Sequence, residues 1–162
     1  MGERRPSWPE YFMSLAKVAA RRSSCLRRKV GAVLVKNKQI IAMGYNGSPS
    51  GYDNCCDLEF CRRNNLDSGK SLDICPAVHA EANCINQAAR FGHSTEGAVM
   101  YVTHHPCKWC LSSLVNAGIK TVIYDEPYPS ELSESIKRQC DIEVVSFKDV
   151  LRNLNIKNKS NI

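Results

Sequence analysis

The sequence has 162 residues, of which 43% are hydrophobic and 23% are charged, and its formal net charge is +6. This composition fits one soluble globular domain spanning residues 1–162, long enough to bury a substantial core. No run of about 18 apolar residues is present, so we expect no membrane span and no membrane partner. The first residues lack the apolar segment of a signal peptide, which predicts a cytoplasmic protein. A positive net charge suits a partner that carries phosphate.

The predicted elements begin with a helix. Ser7, Pro9 and Glu10 form a capping-box pattern at its start, and apolar residues at helical spacing continue it to about Arg22. A hairpin follows, with strands predicted at residues 30–35 and 39–44. Residues 46–75 then form a long irregular segment with four cysteines. A loop of this length is uncommon unless it is functional or held by a ligand.

The remainder of the chain alternates between strands and helices. Further helices are predicted at residues 79–91, 107–117, 130–140 and 147 to about 154, with strands at 98–103, 120–124 and 142–147. The tail, residues 156–162, is polar and is predicted to be frayed. Strands that alternate with helices indicate an α/β fold with parallel crossovers, and the hairpin adds antiparallel pairing. We therefore expect a mixed sheet.

Nine cysteines are unusual in a chain that we expect in a reducing compartment, where grouped cysteines indicate metal binding or catalysis more often than disulfides. Cys107 and Cys110 begin one predicted helix, and His79 begins another. A helix amino terminus favours the thiolate form of cysteine. One nitrogen and two thiolates leave the fourth position of a zinc ion for water. These residues therefore predict a catalytic Zn²⁺ site.

Glu81 is the candidate catalytic residue. It lies two residues after His79, off the helix face that paired ligands would share, so we expect it to move protons and not to bind the metal. It would take a proton from the attacking water and deliver it to the ring nitrogen, then to the leaving ammonia. A His-x-Glu motif followed by Pro-Cys-x-x-Cys is the signature of zinc-dependent nucleobase deaminases, and residues 79–81 and 106–110 match it.

The similarity extends well beyond these two motifs. From about residue 8 to residue 147, the chain resembles the deoxycytidylate deaminase branch of the cytidine deaminase-like superfamily. The matching positions are residues 7–8, 10–13, 22–23, 30–32, 44–47, 79–81, Asn83, 100–103, 106–110, 117–120 and Tyr128. So many separate matches are far more specific than the zinc motif alone.

The resemblance implies a three-layer α/β/α fold around a central five-stranded mixed sheet. It implies zinc-dependent hydrolysis of dCMP to dUMP and ammonia, which supplies dUMP for dTMP synthesis. It further implies a homo-oligomer, often a hexamer, that is activated by dCTP and inhibited by dTTP. No nucleic-acid partner is expected, since no long basic run is present.

Three residues are candidates for substrate binding. The resemblance implies that Asn46 contacts the sugar and base, although an Asn-Gly pair is also a strong turn signal. Arg22 is a candidate for the 5′-phosphate because the guanidinium fork matches phosphate oxygens. Tyr128 is a second candidate, because it follows the fourth strand, where α/β proteins collect their ligands.

A second zinc site is the next hypothesis. Cys25 and the long loop's Cys55, Cys61 and Cys75 would form a four-cysteine structural site, which would fold a loop that has few apolar residues of its own. Some relatives carry a structural zinc in this region. Cys56 and His104 are possible substitute ligands, and free thiols are the alternative.

Nucleotide regulation has its own candidates. The resemblance places the counterparts of Tyr45 and Gly47 beside an effector pocket. Arg90, near the end of the catalytic helix, is a weaker candidate, because a cation at that position also stabilises the helix carboxyl terminus.

Two other functions use the same residues. A tRNA adenosine deaminase would share His79, Glu81 and both helix-start cysteines, but the cysteine-rich loop and the absence of a long basic C-terminal helix disfavour it. A non-catalytic zinc module is also compatible with the cysteines. Glu81 argues against it, because a structural site needs no carboxylate two residues from its histidine.

Overall fold

The computed structural model describes residues 4–67, 69–128 and 131–159. Its helices are α1 (Trp8–Ala20), α2 (Ala80–Arg90), α3 (Lys108–Asn116), α4 (Glu131–Gln139) and α5 (Phe147–Lys159). Its strands are β1 (Gly31–Lys36), β2 (Gln39–Tyr45), β3 (Val99–His104), β4 (Thr121–Glu126) and β5 (Glu143–Ser146). In the described part of the chain, no helix has the length and apolar character needed to cross a bilayer.

The strands form one mixed sheet in the order β2-β1-β3-β4-β5. β1 is antiparallel to β2 and to β3, whereas β3, β4 and β5 run parallel. The helices α3 and α4 connect the parallel strands. The carboxyl end of β3 and the amino terminus of α3 therefore lie at the same edge of the sheet, which is the usual ligand-binding edge of such a fold.

Helices cover both faces of the sheet. Along β3, Met100 and Val102 point into a core with α2 and α3, while Tyr101 between them points into a second core with α1 and α5. This alternation follows from the two-residue period of a strand. The predicted three-layer α/β/α fold with a five-stranded mixed sheet is therefore confirmed.

Gly44 allows the catalytic helix to approach the sheet closely. A Cβ atom there would collide with the carbonyl oxygen of Ala80 and would lie 2.8 Å from the backbone nitrogen of Cys84. Because both atoms belong to the backbone of α2, the helix itself would have to move. The glycine thus fixes the distance between β2 and the start of α2.

The largest extensions beyond the predicted ends are in β4 and α5, whereas β1, β2 and β3 each continue one residue further than predicted. β4 was expected to end at Tyr124 but continues to Glu126, because Glu126 pairs with His104 of β3. α5 was expected to end near Leu154, yet it continues to Lys159 through part of the tail that we predicted to be frayed. No glycine or proline follows Leu154 to stop the helix. The predicted start of α4 at residue 130 and the last three tail positions lie outside the described residues.

Candidate active site

Two helix amino termini meet at the predicted metal site. His79 is the N-cap residue of α2, and Cys107 is the N-cap residue of α3, with Cys110 in the first turn of that helix. Both N-cap residues are extended, and their carbonyl oxygens accept the first helical hydrogen bonds. The three side chains are therefore carried by the starts of two rigid elements.

These three side chains form a compact donor group. His79 Nδ1 lies 3.3 Å from Cys110 Sγ and 3.6 Å from Cys107 Sγ. Among the described residues, they are the only group whose possible ligand atoms all lie within 4.8 Å of one another. One imidazole nitrogen and two sulfur atoms match the three protein ligands of a catalytic zinc site, so the residues fit the metal.

Cys107 is the cysteine prepared for ionisation. Hydrogen bonds with the Cys110 thiol and with His79 lower the pKa of Cys107 to about 4, whereas the same contact with Cys107, together with burial, raises the pKa of Cys110. The same contact with Cys107 raises the pKa of His79. The thiolate is the form of cysteine that binds metals, so a lowered pKa at Cys107 favours zinc binding.

Glu81 lies beside this group and is buried, with 4% of its surface exposed. Burial raises the pKa of its carboxyl group, while its own backbone N–H and the charge of His79 act in the opposite direction. A raised carboxyl pKa suits a group that must both accept and release a proton near neutral pH. The structure therefore places Glu81 where the sequence predicted a proton carrier.

A cavity of about 210 Å³ opens onto the donor group. His79, Glu81 and Cys107 line one part of it, and Asn46 and Tyr128 line another. The predicted catalytic residues and two of the three predicted substrate contacts thus share one cavity. Arg22 does not share it, because its side chain lies outside the cavity lining.

Asn46 serves as a brace as well as a cavity residue. Its Oδ1 accepts hydrogen bonds from the Val30 N–H at 2.8 Å and the Ser23 hydroxyl at 2.7 Å, and its Nδ2 donates to the Arg28 carbonyl at 2.8 Å. These contacts hold the segment before β1 against the end of β2. One N–H of the side-chain amide remains for a ligand in the cavity.

The cavity contains basic residues that the sequence analysis did not select. Arg28 and Arg63 line it, and the guanidinium of Arg28 lies 5.6 Å from the centre of the Tyr128 ring. His105 lines it as well, and so does His104, which the sequence had indicated only as a possible substitute zinc ligand. Arg28 lies six residues after the predicted Arg22, and only the path of the chain before β1 shows which arginine reaches the cavity. The cluster of basic residues at positions 27–29 was the one available signal.

The four cysteines of the predicted second zinc site are neighbours. Cys25, Cys55, Cys61 and Cys75 are partly buried thiols, and burial followed by the charges of the other three raises the pKa of Cys55. They are less closely grouped than the catalytic ligands. Cys56 is exposed, and its Sγ lies 3.3 Å from Asp57 Oδ1.

Cys25, Cys61 and Cys75 also line the cavity that contains Glu81. The cysteine-rich loop is therefore part of the wall of the candidate active site. Its only regular element among the described residues is a short 3₁₀ helix at Leu72–Ile74.

The candidate effector residues lie outside this cavity. The carbonyl of Tyr45 accepts a 2.8 Å hydrogen bond from Asn83 of α2, and Gly47 pairs with Val78 in an isolated bridge. Arg90 is exposed near the end of α2, with its guanidinium 5.9 Å from the centre of the Phe91 ring. The structure does not bring Arg90 together with the other two.

Two comparisons of sequence identify relatives of this chain. Bacillus subtilis ComE operon protein 2 is 46% identical over 136 residues, which cover 80% of this chain and 68% of the relative. The Schizosaccharomyces pombe deoxycytidylate deaminase is 43% identical over 125 residues, and the match spans 76% of this chain but only 38% of that protein.

A solved structure extends the comparison to the whole fold. The dCMP deaminase of cyanophage S-TIM5, in complex with dCMP and dUMP, superposes with a TM-score of 0.74 at 32% identity, covering 89% of this chain and 99% of that one. The family model for the cytidine and deoxycytidylate deaminase zinc-binding region matches residues 6–126, which include every predicted catalytic residue. The chain therefore belongs to the cytidine and deoxycytidylate deaminase family.

Proposed function

We propose that this protein is a zinc-dependent deaminase that hydrolyses dCMP to dUMP and ammonia. The observation that carries the proposal is one cavity in which Glu81 and the His79, Cys107 and Cys110 group face Arg28 and Tyr128. The dCMP and dUMP bound by the cyanophage relative support this substrate. The product would serve dTMP synthesis.

Glu81 would move the protons of this reaction. When bound, zinc supplies the Lewis acidity that makes hydroxide available at neutral pH. Glu81 accepts a proton from the attacking water and donates it to N3 of the pyrimidine. It then takes the second proton from the hydroxyl added at C4 and delivers it to the amino group, which leaves as ammonia while the C4 carbonyl forms. Its burial keeps bulk water away from the carboxyl group and supports both steps.

We assign the 5′-phosphate to Arg28 and Tyr128, in place of Arg22. A guanidinium offers several N–H donors to phosphate oxygens, and a phenol offers one more. The contact between Arg28 and the Tyr128 ring supports this pairing, because it holds the long arginine side chain against the cavity wall.

The finer predictions on metal content and assembly remain proposals. Cys25, Cys55, Cys61 and Cys75 would hold a second, structural zinc ion, which their shared burial supports. We further propose a cytoplasmic homohexamer that is activated by dCTP and inhibited by dTTP. Tyr45, Gly47 and Arg90 are the candidate effector residues, and the link from Tyr45 to Asn83 would connect an effector to the catalytic helix.

The test is an ultraviolet deamination assay with the zinc-loaded protein on dCMP, CMP, deoxycytidine and dCTP, with a tRNA and a single-stranded DNA as further substrates. We expect turnover of dCMP far above that of the other compounds. Turnover of a polynucleotide alone would overturn the proposal and point to the tRNA deaminase alternative. The effect of added dCTP or dTTP on the dCMP rate tests regulation in the same assay.

Glu81→Gln tests the proton carrier separately. We expect kcat to fall by about 10²- to 10⁴-fold, the usual contribution of general acid–base catalysis, with zinc content and unfolding temperature preserved. Asn83→Ala, which removes a single exposed hydrogen bond on the same helix, is the matched control. Loss of zinc or of folding in the Gln variant would show that Glu81 has a structural role.

A further inference from the structure

Thr103 and His104, at the end of β3, form a short hydrogen-bonded chain at the edge of the cavity. The backbone N–H of Gly31 donates to Thr103 Oγ1 at 3.2 Å, and Thr103 Oγ1 lies 3.0 Å from His104 Nδ1. Thr103 is buried, with 6% of its surface exposed. Its hydroxyl therefore depends on these two partners.

The number of protons on these groups determines the direction of the hydrogen bond between Thr103 Oγ1 and His104 Nδ1. A threonine hydroxyl has one proton to donate, and Gly31 contributes a donor, so His104 Nδ1 is the acceptor that the described residues offer to the Thr103 proton. If His104 Nδ1 carried the proton instead, the buried hydroxyl would face two donors and lack an acceptor, which is unfavourable. The contact thus selects the tautomer of His104 that is protonated on Nε2.

The surroundings of His104 keep its ring neutral. Burial lowers the pKa of His104, and the positive charge of Arg28 lowers it further, against the weaker influence of Glu126 and Asp125. Because Thr103 occupies Nδ1, Nε2 is the ring nitrogen left for a ligand in the cavity that His104 lines. A neutral N–H donor then belongs to a residue that lines the same cavity as Arg28 and Tyr128.

We propose that His104 is a specificity-determining residue, which donates its Nε2–H to the 5′-phosphate of the substrate and is oriented by Thr103. The proposal rests on the proposed function for the identity of the substrate. Arg28 supplies charge, while His104 supplies a directed donor that a nucleoside without phosphate cannot use. His104 is then a ligand of substrate and not a substitute ligand of a second zinc ion.

The tautomer is tested without turnover. In the zinc-loaded protein labelled with ¹⁵N-histidine, two-bond ¹⁵N–¹H correlations distinguish the Nε2–H from the Nδ1–H form of each of the four histidines. We expect His104 as Nε2–H in wild type and in Thr103→Ser, and a mixture in Thr103→Val. An Nδ1–H ring, a charged ring or a zinc-bound Nε2 in wild type would overturn the proposal.

The role in specificity is tested by affinity and kinetics. His104→Leu should raise KM for dCMP and Kd for dUMP by about 10- to 100-fold, the range for a hydrogen bond to a charged group. KM for deoxycytidine and Kd for deoxyuridine should change by less than about twofold, and kcat should stay near wild type. His104→Gln, which keeps an N–H donor, should recover most of the dUMP affinity.

Two results distinguish a failure of the role proposed for His104 from a failure of the proposed function. Equal losses for dUMP and deoxyuridine in His104→Leu, or a loss of bound zinc, would overturn the role of His104 even if dCMP is the substrate. If wild type turns over no free nucleotide, the proposed function fails. The ratio of dUMP to deoxyuridine affinity still decides in that case whether His104 recognises a phosphate.

Discussion

Replacement of Asn46 by alanine should destabilise the protein as well as weaken substrate binding. The side chain joins the segment before β1 to the end of β2 through contacts with Val30, Arg28 and Ser23. Alanine would leave the Val30 N–H and the Arg28 carbonyl without these partners. Ser23 would keep a 2.8 Å hydrogen bond to the carbonyl of residue 46.

The size of the effect follows from these two backbone groups. A buried polar group that loses its partner costs about 1–3 kcal/mol. Both hydrogen bonds are only partly buried, so water reaches the groups in part and the lower half of that range applies. We expect a loss of about 2–4 kcal/mol in the free energy of unfolding, a large share of the ~5–15 kcal/mol typical of a domain.

Urea denaturation followed by circular dichroism measures this loss as a shift of the midpoint at constant slope. Asn83→Ala is the control, because it removes one exposed hydrogen bond from the same type of residue and should cost below about 1 kcal/mol. KM for dCMP should rise in the Asn46 variant, because Arg28 loses its anchor. If Asn46→Ala is as stable as Asn83→Ala, Asn46 does not hold the two segments together, and contact with a ligand is its only role.

Three further predictions concern packing and metal content. Gly44→Ala should lower the free energy of unfolding by about 1–3 kcal/mol and should lower kcat, because it displaces α2. Gly92→Ala is the control, at a φ of +71° with open space around it. It should lower the free energy of unfolding by a similar ~1–2 kcal/mol but leave kcat unchanged. If the two variants have the same kcat, Gly44→Ala does not displace α2. A chelator should lower the unfolding temperature and added zinc should restore it, since a ligand of the folded state stabilises it; no change would contradict a bound metal. Cys61→Ser should reduce the zinc content from two ions to one, whereas Cys56→Ser should retain both; two ions in Cys61→Ser would exclude Cys61 as a ligand, and one ion in Cys56→Ser would make Cys56 a ligand.

The candidate catalytic residues could be selected from sequence because they lie close together along the chain. His79, Glu81, Cys107 and Cys110 lie within two short motifs, each at the start of a helix, and the fold then brings the two helix starts together. Each strand was likewise predicted from the sequence, and the hairpin predicted antiparallel pairing. Errors were confined to element ends such as that of α5, where pairing and propensity compete over a few residues.

The proposed phosphate contacts could not be selected in the same way. Arg22 and Arg28 are both exposed arginines in the segment between α1 and β1, and local pattern does not separate them. The hydrogen bond from Asn46 to the Arg28 carbonyl spans 18 residues and fixes the backbone beside the arginine that lines the cavity. The proposed role of His104 likewise has no local signal, because it depends on a hydrogen bond between Gly31 and Thr103, which are 72 residues apart.

Arg63 makes the cysteine-rich loop part of the candidate active site, and Arg27, from the segment before β1, holds the loop there. Arg27 donates hydrogen bonds to the carbonyls of Arg63 and Leu66, and Arg63 Nε donates to the carbonyl of Lys70 at 2.8 Å. Arg27 and Arg63 also line the cavity that holds Glu81. The same side chains that order the loop therefore form part of the cavity wall. For this reason we expect loop stability and substrate affinity to be coupled, with or without a metal ion on the cysteines.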